Sequence, residues 1–217
     1  MKVVLVLLAI SGAAFADGKP QGPGPCNDLA ACEKACKAGK TKSCEWGGLL
    51  ALESGISQDQ RDHAFSLFDA GCKKNDGGSC WRAGLVVDPG EGAAIADRSK
   101  ARGYYDRACK NKSARACMML GKLVGGPGDD KALKAAAAAY KQAVAIFEQA
   151  CKKQDAQACA LAANLYSAGM GVTQDAKKAD ELRQRACVIK SGQPCAVPVK
   201  DHAVRPPPRP PKHADED

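Results

Sequence analysis

Small and apolar positions along this chain fall at helical intervals, and the intervals repeat in step with pairs of cysteines. Eight residues before Cys72, Cys109, Cys151 and Cys187 stand Ala64, Ala101, Ala143 and Ala179, and five before them stand Leu67, Tyr104, Ile146 and Leu182. Immediately before Cys36 and those four cysteines stand Ala35, Gly71, Ala108, Ala150 and Ala186. The segment after each pair has its own register. Four residues after Cys44, Cys80, Cys117 and Cys159 come Gly48, Gly84, Gly121 and Ala163, and six after them come Leu50, Val86, Leu123 and Leu165. Single apolar positions returning to one face mark helices. Small residues at fixed places let helix axes approach closely. Each unit therefore predicts a short helix A, a Gly-rich turn and a helix B. In the last unit helix A runs from about Gln157 to Ser167, "AGMGVTQD" is the turn, and helix B runs from about Ala176 to Val188.

The first cysteines of the pairs, Cys36, Cys72, Cys109, Cys151 and Cys187, are spaced 36, 37, 42 and 36 residues apart, a repeat of solenoid length. On one continuous helix, cysteines eight residues apart would have Cα atoms about 12 Å apart, whereas a disulfide tolerates about 7 Å at most. The intervening "KAGKTKS", "KKNDGGS" and "VIKSGQP" carry Gly, Asn, Asp or Pro, so the helix stops and returns. Each pair then staples helix B to helix A of the next unit: Cys36–Cys44, Cys72–Cys80, Cys109–Cys117, Cys151–Cys159 and Cys187–Cys195. One helix pair cannot bury both its faces, but stacked neighbours make a continuous thin core. Of the two remaining cysteines, Cys26 lies in the loop before a helix capped by Asp28, from which it can fold back onto Cys32. The alternative, a reactive thiol pair, lacks the C-x-x-C spacing such pairs usually show.

"LYSAGMGVTQDAKKAD" resembles a Sel1-like repeat, and the units from Cys26 to Cys195 resemble the cysteine-rich secreted subgroup with one disulfide per repeat, which includes the Helicobacter cysteine-rich proteins. The resemblance implies an all-α, right-handed superhelical α/α solenoid of helix–turn–helix (Sel1/TPR-like) repeats over residues 26–195, an N-terminal half-unit plus about four repeats. Earlier turns are degraded ("ESGISQDQR", "VDPGEGAAIADRS"), and unit three carries a longer second helix, Asp129 to Cys151, which should protrude by nearly two turns.

Composition adds the compartment. Only 5% of the 217 residues are aromatic while 22 are Gly, which argues against a bulky core. Twelve cysteines mean a metal framework or disulfides, and the N-terminus decides between them. "MKVVLVLLAISGAAFADG" has one Lys, a short apolar run and small residues ending at Ala16. This is a signal peptide, residues 1–16, too short for a permanent anchor. A periplasmic or secreted monomer with no membrane span after cleavage is expected, its cysteines oxidised. Residues 17–25 read as a Pro/Gly linker and residues 196–217 as an extended Pro-rich tail. The net charge of +8 is spread along the chain rather than gathered in a stripe, so nucleic acid is not an expected partner.

The resemblance also implies β-lactam binding or hydrolysis. The residues do not support it: no Ser has Lys three residues later, and Lys190-Ser191-Gly192, which imitates a K-T-G motif, falls in a staple turn. His63, His202 and His213 form no metal-ligand pattern. No catalytic, cofactor or metal residue is assigned, and purified protein is expected to leave a chromogenic cephalosporin intact. The competing class is a scaffold that binds a protein or peptide on the concave wall of a curved array, with Trp46 and Trp81 as candidate contacts. Their alternative role is packing against the adjoining disulfide. A secreted effector or antigen is a third class compatible with the same sequence.

Overall fold

A computed structural model of the protein describes residues 24–53, 57–91, 96–125 and 130–193. Among these residues nine α-helices follow one another: α1 Leu29–Lys37, α2 Thr41–Glu53, α3 Gln58–Lys73, α4 Gly77–Val87, α5 Arg98–Lys110, α6 Ala114–Val124, α7 Asp130–Lys152, α8 Ala156–Ala168 and α9 Ala176–Ser191. Each packs chiefly on the helix before and after it. The A helices are α2, α4, α6 and α8; the B helices are α3, α5, α7 and α9, with α1 as the half-unit. Alternate helices also touch, α2 with α4, α1 with α3 and α3 with α5. This is the all-α solenoid expected. Of the linker, Gly24 and Pro25 are described; residues 1–16 and the tail 196–217 lie outside the described residues.

The staple joints share one construction. Three residues past the first cysteine the backbone turns left-handed, at Gly39, Asn75, Lys112 and Gln154 (φ 94, 62, 62 and 69°). The next residue sends its N–H back to the carbonyl before the cysteine: Lys40 to Ala35, Asp76 to Gly71, Ser113 to Ala108 and Asp155 to Ala150, at 2.9 to 3.2 Å. This six-to-one return closes the end of helix B. In three joints the same residue opens helix A, because Asp76, Ser113 and Asp155 accept the N–H groups of Ser79, Ala116 and Ala158. One left-handed residue and one cap thus reverse the chain. The paired cysteines come to Cα separations between 4.4 and 4.7 Å.

Cys26 is bonded to Cys32, with Asp28 capping α1 through the Ala31 N–H at 2.8 Å. Cys187 is also in a disulfide; its expected partner, Cys195, lies outside the described residues. The fifth joint departs from the other four, since α9 runs on to Ser191 and its left-handed cap, Gly192, stands five residues past Cys187.

Lys112 and Gln154 carry the strain of a left-handed conformation that costs ordinary L-residues about 1–2 kcal/mol and glycine almost nothing. Lys112→Gly and Gln154→Gly are each expected to stabilise the chain by about 0.5–1 kcal/mol, after the looser unfolded chain is counted. The check is a higher urea midpoint at unchanged slope.

The core corrects one expectation. The chain does contain bulky core residues, about one aromatic per unit over the first three, four residues before the staple cysteine: Phe68 and Tyr105 are fully buried and Phe147 nearly so. The first two each meet a glycine. A Cβ on Gly48 would lie 2.3 Å from the Phe68 ring, and one on Gly84 2.5 Å from the Tyr105 ring. Tyr105 is further fixed by its hydroxyl, which donates to buried Asp88 at 2.9 Å. In unit three, Gly121 receives Tyr140 instead, seven residues before Phe147. Seven residues are about two turns, so the long helix keeps its inward face while extending. Ala64, Ala101, Ala143 and Ala179 are fully buried at the helix contacts, as their register required.

Candidate binding cleft

Helix α7 spans 23 residues against 13 for α5. Its alanine run, "KAAAAAYKQA", holds helix easily because alanine loses no side-chain entropy there. The extended part of α7 stands off α5, and a cleft opens between them across the end of α6. The cleft has two adjoining lobes of about 660 and 670 Å³ that share Ser99, Arg102, Val124 and Ala135. One wall is alanine: Ala132, Ala135, Ala138 and Ala139 of α7. The floor is apolar, from Leu120, Leu123 and Val124 of α6. The α5 wall carries Ser99, Arg102 and Gly103.

The lining is cationic. The described lining carries Arg98, Arg102, Lys110 and Lys131 and one carboxylate, Asp106, which is paired with Lys110 at 2.7 Å. Arg98 donates to the Leu123 carbonyl at 2.5 Å, tying α5 to the last turn of α6. Arg102 is exposed and has no hydrogen-bond or ion-pair partner among the described residues. Nothing in the cysteine register pointed here. The available signal was Gly103, a glycine inside a helix at a position where the other units have Ser66, Ala145 and Glu181.

Elsewhere the buried polar groups tie units together. Lys42 of α2 reaches Asp76 at 2.9 Å and Glu45 at 3.4 Å, and Arg82 of α4 meets Glu45 at 3.2 Å. Burial alone would raise the Asp76 carboxyl, but hydrogen bonds from Lys42 and Ser79 outweigh it and hold the group below its ordinary 3.8. Between B helices, the Tyr104 hydroxyl donates to Asp69 at 2.7 Å while its ring meets Phe65 edge-on. Burial first, and then the Asp69 carboxylate, push the Tyr104 phenol up. Tyr166 donates to Glu148 at 3.0 Å between units three and four.

A depressed carboxyl contributes stability that is present above its unfolded value and lost as pH falls through its folded one. The chain should therefore lose stability below about pH 4 in part through Asp76. Asp76→Asn retains a good cap but loses the ion pair. The variant should be less stable near neutrality, with a flatter acid limb. Urea midpoints between about pH 5 and pH 2 test this; parallel curves would refute it.

Trp46 is 8% exposed and packs beneath Gly24, and Trp81 is half-buried with its ring centroid 5.6 Å from that of Tyr105. Both rings thus pack within the array, and neither is among the residues lining the cleft. Ser191, at the end of α9, has its hydroxyl 2.9 Å from the carbonyls of Cys187 and Gln193. His63 pairs with Glu33 at 2.8 Å, joining α3 to α1. His202 and His213 lie outside the described residues. No helix among the described residues is long and apolar enough to cross a membrane.

No family model matches the chain. Among curated proteins it is similar to cytochrome c oxidase assembly factor 7A of Xenopus laevis, 34% identical over 131 residues, covering 57% of this chain and 53% of that protein. The chain thus spans about half the length of this relative. Among solved structures it is similar to a Sel1 repeat protein from Oxalobacter formigenes, with a TM-score of 0.50 and 22% identity over 73% of this chain and 62% of the other. A second neighbour is a protective antigen of uropathogenic Escherichia coli with an SLR fold, at TM-score 0.41 and 18% identity over 74% of this chain and 41% of the other. The Oxalobacter match shows the fold: this chain folds as a Sel1-like array of paired helices, with one staple at each of the four joints whose cysteines are both described.

Proposed function

We propose that this Sel1-type array is an exported scaffold that binds a peptide or protein segment, and that the cleft between α5 and α7 is its binding region. The cleft itself carries the reading. Its floor is apolar and its walls are small, which suits a packed partner, and the Sel1 repeats supply a rigid frame on which exposed surface varies between units. The disulfides are those of a chain that folds in an oxidising compartment, in keeping with export directed by residues 1–16. The assembly-factor name of the Xenopus relative favours a scaffold over a hydrolase.

Site-specific photocross-linking in the producing cell tests the reading. A photoreactive residue at Ala138, on the cleft wall, should give a discrete adduct. The same residue at Asn164 of α8, an A-helix surface, or at Lys190 of α9 should not. Adducts from Asn164 alone would move the site to the A-helix wall. Equal adducts at all three positions would mean that the array has no defined site.

A further inference from the structure

We infer that the occupant of the cleft is an acidic amphipathic helix of a partner protein. This rests on the binding reading above and specifies its chemistry. Gly103 supplies the first observation. A glycine inside a helix costs about 1 kcal/mol relative to alanine, and no atom lies within 4 Å of where its Cβ would stand. Its missing side chain therefore serves no contact within the chain, unlike those of Gly48, Gly84 and Gly121. What it does is keep the α5 wall low, next to Ser99 one turn earlier and opposite Ala135 and Ala139. Small residues four apart on both walls form the shallow rows into which the ridges of another helix pack at close axial distance.

Charge supplies the second observation. Among the described lining residues there are four cations and one carboxylate. Lys110 is paired with that carboxylate and Lys131 has an interaction of its own, while Arg98 is held only by a neutral carbonyl and Arg102 has no partner among the described residues. A helix that lays an apolar stripe on Leu120, Leu123 and Val124 and carries Glu or Asp along its flanks satisfies both floor and rim. A duplex nucleic acid would satisfy the rim and leave the apolar floor unmatched, so the protein segment is favoured.

The experiment uses the mature protein with its disulfides intact. The probe is a fluorescein-labelled synthetic helix with Leu at helical spacing and Glu at its other positions; a Lys counterpart, duplex DNA and phosphatidylserine vesicles are the comparisons. The Glu helix should bind saturably and the Lys helix should not. Gly103→Leu fills the cleft from an open position. It should keep or raise the melting temperature while weakening the Glu helix about tenfold or more, as loss of a buried anchor site does. Arg102→Glu should weaken it about fivefold to tenfold and reduce its salt dependence.

Binding of the Glu helix that is indifferent to Gly103→Leu would overturn the proposal. So would DNA or vesicle binding that is tighter than the helix and equally sensitive to that substitution. If the Glu helix fails while Ala138 still cross-links a partner, the cleft stands as a binding site and only its acidic occupant falls. If both fail, the binding reading falls with it.

Discussion

Once its bridges have been reduced in denaturant and the chain returned to native buffer under reductant, the protein should not recover its array. Each staple closes a loop of about nine residues, which in the chain-entropy model contributes roughly 2.5 kcal/mol. The five bridges with both cysteines described therefore contribute on the order of 10 kcal/mol, as large as the entire stability of an ordinary domain. The left-handed turns and their caps survive reduction and should leave short, fluctuating helices rather than a featureless coil. Circular dichroism should show reduced helicity and a broad melt in place of a cooperative one. An unchanged melt after thiol titration has confirmed complete reduction would refute the dependence. Removing one bridge, as in Cys72→Ala with Cys80→Ala, should cost about 2–5 kcal/mol.

Gly171→Ala should be the most damaging single methyl addition in the last turn. Gly171 has φ 73°, and a Cβ there would stand 2.3 Å from the Lys141 amide nitrogen and 2.5 Å from the Tyr140 carbonyl carbon. Both are backbone atoms of α7 and cannot rotate away. Left-handed strain of about 1 kcal/mol adds to about 1–3 kcal/mol for displacing a packed neighbour, so a loss near 3 kcal/mol is expected. Gly169 is the control. It has φ 67°, but the atoms nearest to its Cβ would be those of Gln174, no closer than 3.2 Å. Gly169→Ala should lose about 1 kcal/mol, from strain alone. Urea unfolding of the two variants separates the terms, and equal losses would show that the approach to α7 is not tight. Because Tyr140 also fills the space over Gly121, the damage should reach unit three.

The staples were legible because two independent constraints agree on them: a repeating period and the short reach of a disulfide. The long helix was legible too, expected over Asp129 to Cys151 and found over Asp130–Lys152, since its alanines allow little else. The aromatic core was not. A low aromatic content argued against bulk, yet a single ring set against a glycine is enough to fill each of these thin layers. Phe68 and Tyr105 were present in the text four residues before their cysteines, but nothing in a list of residue types says that Gly48 and Gly84 are shaped for them. The left-handed turns at Lys112 and Gln154 were equally hidden, because those residue types do not signal that conformation. The cleft depended on where the extra turns of α7 would go. Length in sequence does not say on which side a helix will stand away from its neighbour.

Nine of the bonded cysteines, from Cys32 to Cys159, are at most 3% exposed. Thiol–disulfide exchange needs an attacking thiolate to reach a sulfur along the bond, and no such approach exists while a joint is closed. Loss of these bridges under native conditions must therefore wait for a unit to open. The lifetime of the protein in a reducing or protease-rich medium is then set by its opening rate rather than by its equilibrium stability. Of the five bridges with both cysteines described, Cys26–Cys32, whose Cys26 is half-exposed at one end of the array, is the one that should exchange first, and opening at that end should proceed inward from it.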